Sequence, residues 1–180
     1  MKVLGLDPGS RRTGYGVVER EGNAFRAVAH GVLAPPARLD LAHRLHAIAT
    51  RAAEVMDAHR PDAVVVEEAF YHESVRSTLV LGHVRGALLV AAVERGLALA
   101  EYSPREIKQS VTGSGAASKE QVVFMVRRLL GLKGPLPPDA ADALAAAICH
   151  LQRVRHGEPA RAMTAAARSL EALLGKRGRR

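Results

Sequence analysis

The sequence predicts a mixed α/β sheet of five strands, three antiparallel followed by two parallel, with helices on both faces. Three observations carry this expectation. The first 33 residues hold three apolar runs separated by Pro-Gly and Glu-Gly-Asn turn signals. From Arg38 the apolar residues change to helical spacing. Beyond Pro61 a near-continuous Val run alternates with long helical patterns, as parallel strands joined by crossover helices require. At 180 residues without an internal repeat, the simplest reading is one domain, long enough to bury a substantial core.

Each element follows in order. Residues 2–7 read as a strand stopped by the turn Pro8-Gly9-Ser10-Arg11-Arg12, and residues 13–19 as its antiparallel neighbour. Glu21-Gly22-Asn23 marks a tight turn into a third strand from Phe25 to Leu33, closed by Pro35-Pro36. Arg38 to Arg60 carries Leu41, Leu45, Ile48, Ala52, Val55 and Met56 on one helical stripe, leaving His43 and His46 on the solvent side. Pro61 ends that helix, and Asp62 to Glu67 reads as a strand covered on both faces. A loop precedes a long helix from Ser74 to Arg95, Gly96 ends it, and Leu97 to Tyr102 is the fifth strand. A short helix runs from Pro104 to Val111, and Thr112 to Ser118 is a Gly-rich loop. Ser118-Lys119-Glu120-Gln121 is a capping box that opens a helix to Leu130. Pro137-Pro138 then precedes an Ala-rich helix from Asp139 to about Arg155, and a last helix is expected over residues 159–174.

Four carboxylates fall where this topology would gather them. Asp7 ends the first strand and Glu67 the fourth, and those strands are expected to be neighbours. Asp139 and Asp142 sit three residues apart, one turn along a single helical face. An acid at a strand end is often a solvated loop residue, and acids in a first turn also complement the helix dipole. The joint pattern is more specific than any one of its members. Carboxylates brought this close repel unless cations lie between them. Hard oxygen donors favour Mg²⁺ or Mn²⁺, and two such ions can clamp both oxygens of a phosphodiester displacement.

The net charge of +8 lies entirely in the second part of the chain: residues 1–70 hold equal numbers of acids and bases. Arginine outnumbers lysine 21 to 5, favouring a planar fork that binds phosphate oxygens in pairs. The tail Lys176-Arg177-Gly178-Arg179-Arg180 adds a basic arm. This is the electrostatic footprint of a nucleic-acid binder, although a solvated basic surface would give the same composition. One cysteine, Cys149, excludes an internal disulfide framework and reads as a small core residue. No stretch of eighteen uncharged apolar residues occurs and the N-terminus does not read as a signal peptide, so a cytoplasmic protein without a membrane partner is expected.

Leu4 to Val17, Val66-Glu-Glu-Ala-Phe70, Gln109 to Arg128 and Pro138 to Ala145 together resemble, in order, the motifs of the bacterial RuvC crossover-junction endonucleases. The similarity spans roughly residues 1–150. It implies a ribonuclease-H-like fold, which we place over residues 1–157; the C-terminal helix and basic tail over residues 158–180 are read from the residues alone and match no family motif. It also implies a homodimer, two Mg²⁺ ions per active site, paired symmetric nicking of four-way Holliday junctions in recombination and repair, and cooperation with the RuvA–RuvB branch-migration machinery. On that pattern Asp7, Glu67, Asp139 and Asp142 hold the catalytic carboxylate positions. Some relatives have His where this chain has Asp139, which makes this an all-acid version.

Lys108 and Lys119 flank the Gly-rich loop where the family has basic residues near the scissile phosphate. Lys119 in a capped first turn can add its charge to backbone N–H groups facing an anion, though it also fits a solvated surface lysine. Phe70 and Tyr71 follow Glu67 closely on an expected loop, where a ring could stack on an unpaired base or simply pack on the next helix. Gly82 and Gly86 leave a close-approach groove on the long helix, a weak signal of a dimer face.

Two neighbouring classes fit less well. The Asp7-Pro8-Gly9-Ser10 turn also resembles the phosphate loop of actin-like and sugar-kinase ATPases, which need two such domains and longer chains. Short nuclease-like proteins of ribosomal RNA maturation share the first strand motif but not the Phe70-Tyr71 loop or the basic second part. A non-catalytic junction scaffold would tolerate loss of carboxylates, and this chain retains all four.

Overall fold

In the computed structural model, which describes residues 1–68 and 74–155, the strand sequences alternate between two faces and each face is covered. The five strands are β1 (Lys2–Asp7), β2 (Thr13–Glu21), β3 (Ala24–Leu33), β4 (Ala63–Glu67) and β5 (Ala98–Tyr102). The helices are α1 (Leu41–His59), α2 (Val75–Val93), α3 (Pro104–Thr112), α4 (Lys119–Leu130) and α5 (Pro138–Arg155). The sheet order is β3-β2-β1-β4-β5, with β1 antiparallel to β2 and parallel to β4. The predicted fold class and the expected adjacency of the first and fourth strands both hold.

Period-two geometry sends Val3, Val18, Val65, Ala100 and Tyr102 to the face covered by α3, α4 and α5. Leu4, Leu6, Val17, Val64, Val66 and Leu99 go to the face covered by α1 and α2. Ala63 to Val66 are buried throughout, which accounts for their unbroken apolar run.

α5 is the central helix. Ala143 to Leu151 are buried, Cys149 among them, and the helix lies against β1, β2, β3 and β4. Glycine makes that approach possible. A Cβ on Gly5 would stand 1.9 Å from the Ala143 carbonyl oxygen, and one on Gly14 would stand 1.9 Å from that of Asp139. At the far end of α5 the buried Tyr102 hydroxyl meets His150 Nδ1 at 3.0 Å.

Boundaries shift where local hydrogen bonds decide them. α1 starts at Leu41 rather than Arg38, because the Asp40 carboxylate accepts the His43 N–H and so caps the helix. β2 and β3 extend to a two-residue turn, Gly22-Asn23, with Gly22 at φ 61. α3 carries a capping box, Ser103 with Glu106, that the sequence reading did not name. α2 is long and apolar enough, by length and composition alone, to span a bilayer. It packs on α1, and its Arg85 pairs with Glu101 of β5. The Phe70 and Tyr71 loop, the helix expected over residues 159–174 and the basic tail lie outside the described residues.

Candidate active site

The C-terminal ends of β1 and β4 build one edge of the site. Their parallel register pairs Leu6 with Val66, so Asp7 and Glu67 follow at the same level on neighbouring strands. Asp7 is also paired across to Gly14 on β2, and Gly14 is the point where the Asp139 backbone touches the sheet. The first turn of α5 therefore reaches the Asp7 edge through a glycine contact, and Asp142 follows one turn later.

Electrostatics register how close these groups are. Burial, then the carboxylates of Glu67, Asp142 and Asp139, push Asp7 up to about 8, against an opposing pull from Lys119. Burial and Asp142 push Glu67 up to about 7, opposed by Lys119 and Lys108. Asp142 is also raised, chiefly by burial and secondarily by Asp139, while the two lysines pull it down. All four predicted carboxylates and both predicted lysines thus share one electrostatic neighbourhood. Lys119 begins α4 behind the Ser118–Gln121 capping box, and Lys108 lies in the middle of α3.

Two contributors escaped the sequence reading. Gly5, Gly14 and Gly16 set the depth of α5, and the signal available was glycine at alternate positions of strands facing an Ala-rich helix. Arg12 is the other. It ends the β1–β2 turn, and its Nε donates to Asp139 Oδ2 at 2.7 Å.

The donor set suits a hard divalent cation: it is all oxygen, partly desolvated, and crowded with like charge that two lysines only partly offset. Among the described residues no three Asp, Glu, His or Cys side chains already converge at metal-ligating geometry.

The comparisons with known proteins decide the family. The family model described as crossover junction endodeoxyribonuclease RuvC matches residues 3–150. The chain belongs to the RuvC family. Among its relatives, the crossover junction endodeoxyribonuclease RuvC of Caulobacter sp. (strain K31) is 50% identical over 150 residues, covering 83% of this chain and 89% of that one. The enzyme of the same name from Syntrophomonas wolfei is 44% identical over 156 residues, or 86% and 91% of the two chains. Among solved structures, Thermus thermophilus RuvC in complex with a Holliday junction substrate superposes with a TM-score of 0.83 at 39% identity, covering 88% of this chain and 97% of that one. The yeast mitochondrial Holliday junction resolvase Ydc2, at 16% identity and a TM-score of 0.61 over 87% of this chain and 81% of its own, shares the fold.

Proposed function

We propose that this RuvC-family nuclease resolves four-way DNA junctions by hydrolysing phosphodiester bonds at Asp7, Glu67, Asp139 and Asp142, with divalent cations held between those carboxylates. The observation that carries the reading is the meeting of Asp7 and Glu67, on adjacent ends of β1 and β4, with the first turn of α5, where burial and neighbouring acids push Asp7 up to about 8 and Glu67 up to about 7. A site that crowds buried carboxylates at this cost is one that a cation relieves. All-oxygen donors favour Mg²⁺, with Mn²⁺ as a substitute and two ions per site as the arrangement we infer. Such ions, when bound, stabilise charge on the attacking and leaving oxygens.

The chain's own groups do the rest. Asp7 and Glu67 sit on the strand ends of the sheet, so their backbone positions are held by its ladders. Lys119 and Lys108 present fixed positive charge to the same space, where charge on a scissile phosphate would grow. We assign Phe70 and Tyr71 to opening the crossover by stacking, a step that unstacks base pairs at a few kcal/mol each.

Two active sites acting as a homodimer would give paired symmetric nicks. The exposed apolar side chains Leu79 and Val90 on α2, with nothing within 4 Å of a Cβ on Gly82 or Gly86, support α2 as the dimer face. The RuvA–RuvB branch-migration complex is the expected partner, and a DNA substrate implies a cytoplasmic site of action.

The test is a cleavage assay with Mg²⁺ on a synthetic four-way junction, a linear duplex and a structured RNA. Symmetric cuts confined to the junction are expected. Preferred cutting of RNA or duplex, or cutting that survives removal of divalent ions by EDTA, overturns the reading.

A further inference from the structure

We propose that Arg12 is a positioning residue of this nuclease, a built-in counter-cation that holds the Asp139 carboxylate in the substrate-free site and moves to a backbone phosphate of the bound strand. The inference rests on the reading of Asp139 as a metal ligand.

The geometry is local and fixed at its base. Thr13, fully buried, donates its hydroxyl to the Gly9 carbonyl at 2.7 Å and accepts the Gly9 N–H at 3.3 Å, which closes the turn that ends in Arg12. A Cβ on Gly9 would stand 2.1 Å from the Arg12 carbonyl oxygen, so the turn folds tightly on itself. Two residues further on, Gly14 meets the Asp139 backbone. The root of Arg12 is therefore tied to the same contact that docks the first turn of α5.

From there the guanidinium uses only Nε, on Asp139 Oδ2, and its two Nη groups have no hydrogen-bond partner among the described residues. A planar fork with two free NH2 groups is a phosphate ligand in shape and charge. The Arg12 side chain is 57% exposed and that of Asp139 30%, which puts the pair at the rim of the site rather than its floor. An ion pair at that exposure is weak, so exchanging one partner for another costs little. A divalent cation on the Asp139 carboxylate repels the guanidinium and draws electron density from Oδ2, so it weakens the pair even where the ion takes Oδ1. Loading the site thus releases Arg12 where a substrate strand must pass, and the freed charge helps hold that strand over the carboxylates.

Mn²⁺ titration of the metal-free, DNA-free protein by calorimetry or electron paramagnetic resonance reads the first part directly. Arg12→Ala should bind Mn²⁺ about two- to fivefold more tightly than the parent, in line with the loss of one weak competitor. Arg12→Lys keeps the charge and should fall between them. Junction binding reads the second part, with Ca²⁺ as the divalent ion and uncut strands verified on a denaturing gel. There Arg12→Ala should flatten the slope of log affinity against log salt by about 0.9, the contribution of one phosphate contact, whereas in EDTA the slope should not change.

Unchanged or weaker Mn²⁺ binding by Arg12→Ala overturns the counter-cation role, and an unchanged slope in Ca²⁺ overturns the phosphate contact. If the parent itself binds no Mn²⁺, or Asp7→Asn leaves its binding untouched, it is the metal-site reading that fails instead.

Discussion

At the scale of single residues, the three Asp and one Glu of the cluster are set apart by environment. Asp7 is the most strongly raised because it meets burial and three carboxylates at once, whereas Asp139 faces Arg12 at the rim. On the proposed function, Asp7→Asn removes a metal ligand without touching the basic surface. Cleavage should fall by at least about a hundredfold, while junction binding is kept or slightly improved because one source of phosphate repulsion is gone; substantial residual cutting in a single-turnover assay would show that Asp7 is no ligand. The same elevation fixes a pH dependence. An acid whose folded pKa lies above its ordinary value binds its proton better in the folded chain, so the folded state carries more protons through that interval and stability falls as pH rises. Asp7 moves from 3.8 to about 8 and Glu67 from 4.5 to about 7, so the stabilising contribution is intact near pH 4 and lost toward pH 8. Thermal melts of metal-free protein should drop by several degrees between pH 5.5 and pH 8 on account of this cluster, on the order of 2 kcal/mol for a chain of this size. Asp7→Asn should remove most of that drop, and Mg²⁺ at pH 8 should restore the melting point of the parent.

At the scale of elements, the glycines on β1 and β2 are what let α5 come down onto the candidate site. Gly14→Ala would drive a methyl group into the Asp139 carbonyl, where a Cβ would stand at 1.9 Å, and the neighbouring backbone has no flexible end to yield. The helix must lift, at a cost of about 1–3 kcal/mol, and Asp139 and Asp142 must move with it. A lowered melting point together with weakened Mn²⁺ affinity is expected; loss of stability with metal binding intact would detach α5 depth from the site. Much of this architecture was readable from the sequence because its signals are local. Pro-Gly after Asp7, the Val run before Glu67, the Ser118 capping box and the Pro pair before Asp139 each set an element type or end, and strand adjacency followed from connection rules. The depth of α5 was not readable, since Gly5 and Gly14 matter only for what lies across from them. Arg12 and Asp139 are 127 residues apart and meet only in three dimensions. His150 was hidden in the same way, as a polar residue on an Ala-rich helix whose partner, Tyr102, sits on a strand 48 residues earlier.

At the scale of the whole molecule, both faces of the sheet are covered, by α3, α4 and α5 on one side and by α1 and α2 on the other, but the outer side of α2 is left bare. Val75, Leu79, Gly82, half-buried Gly86, Val90 and Val93 recur at intervals of three and four along a helix roughly 28 Å long, with exposed Arg76, Ser77 and His83 beside them. Val75 is 62% exposed, Leu79 60% and Val90 57%, and no atom lies within 4 Å of a Cβ at either glycine. A contiguous apolar stripe of this length marks an interaction surface, and a helix crossing its own copy at the glycines would cover it by two-fold symmetry. On the proposal that this stripe is the dimer face, a charge at Leu79 in its N-terminal part should separate the copies without disturbing the core, because that side chain is exposed. Leu79→Glu is therefore expected to sediment as a monomer with an unchanged circular dichroism spectrum. Its carboxylate cluster is untouched, so any remaining cuts on a four-way junction should be single and uncoordinated rather than paired. A Leu79→Glu protein that stays dimeric and still makes symmetric paired nicks would place the dimer interface elsewhere and leave the exposed face of α2 for another partner.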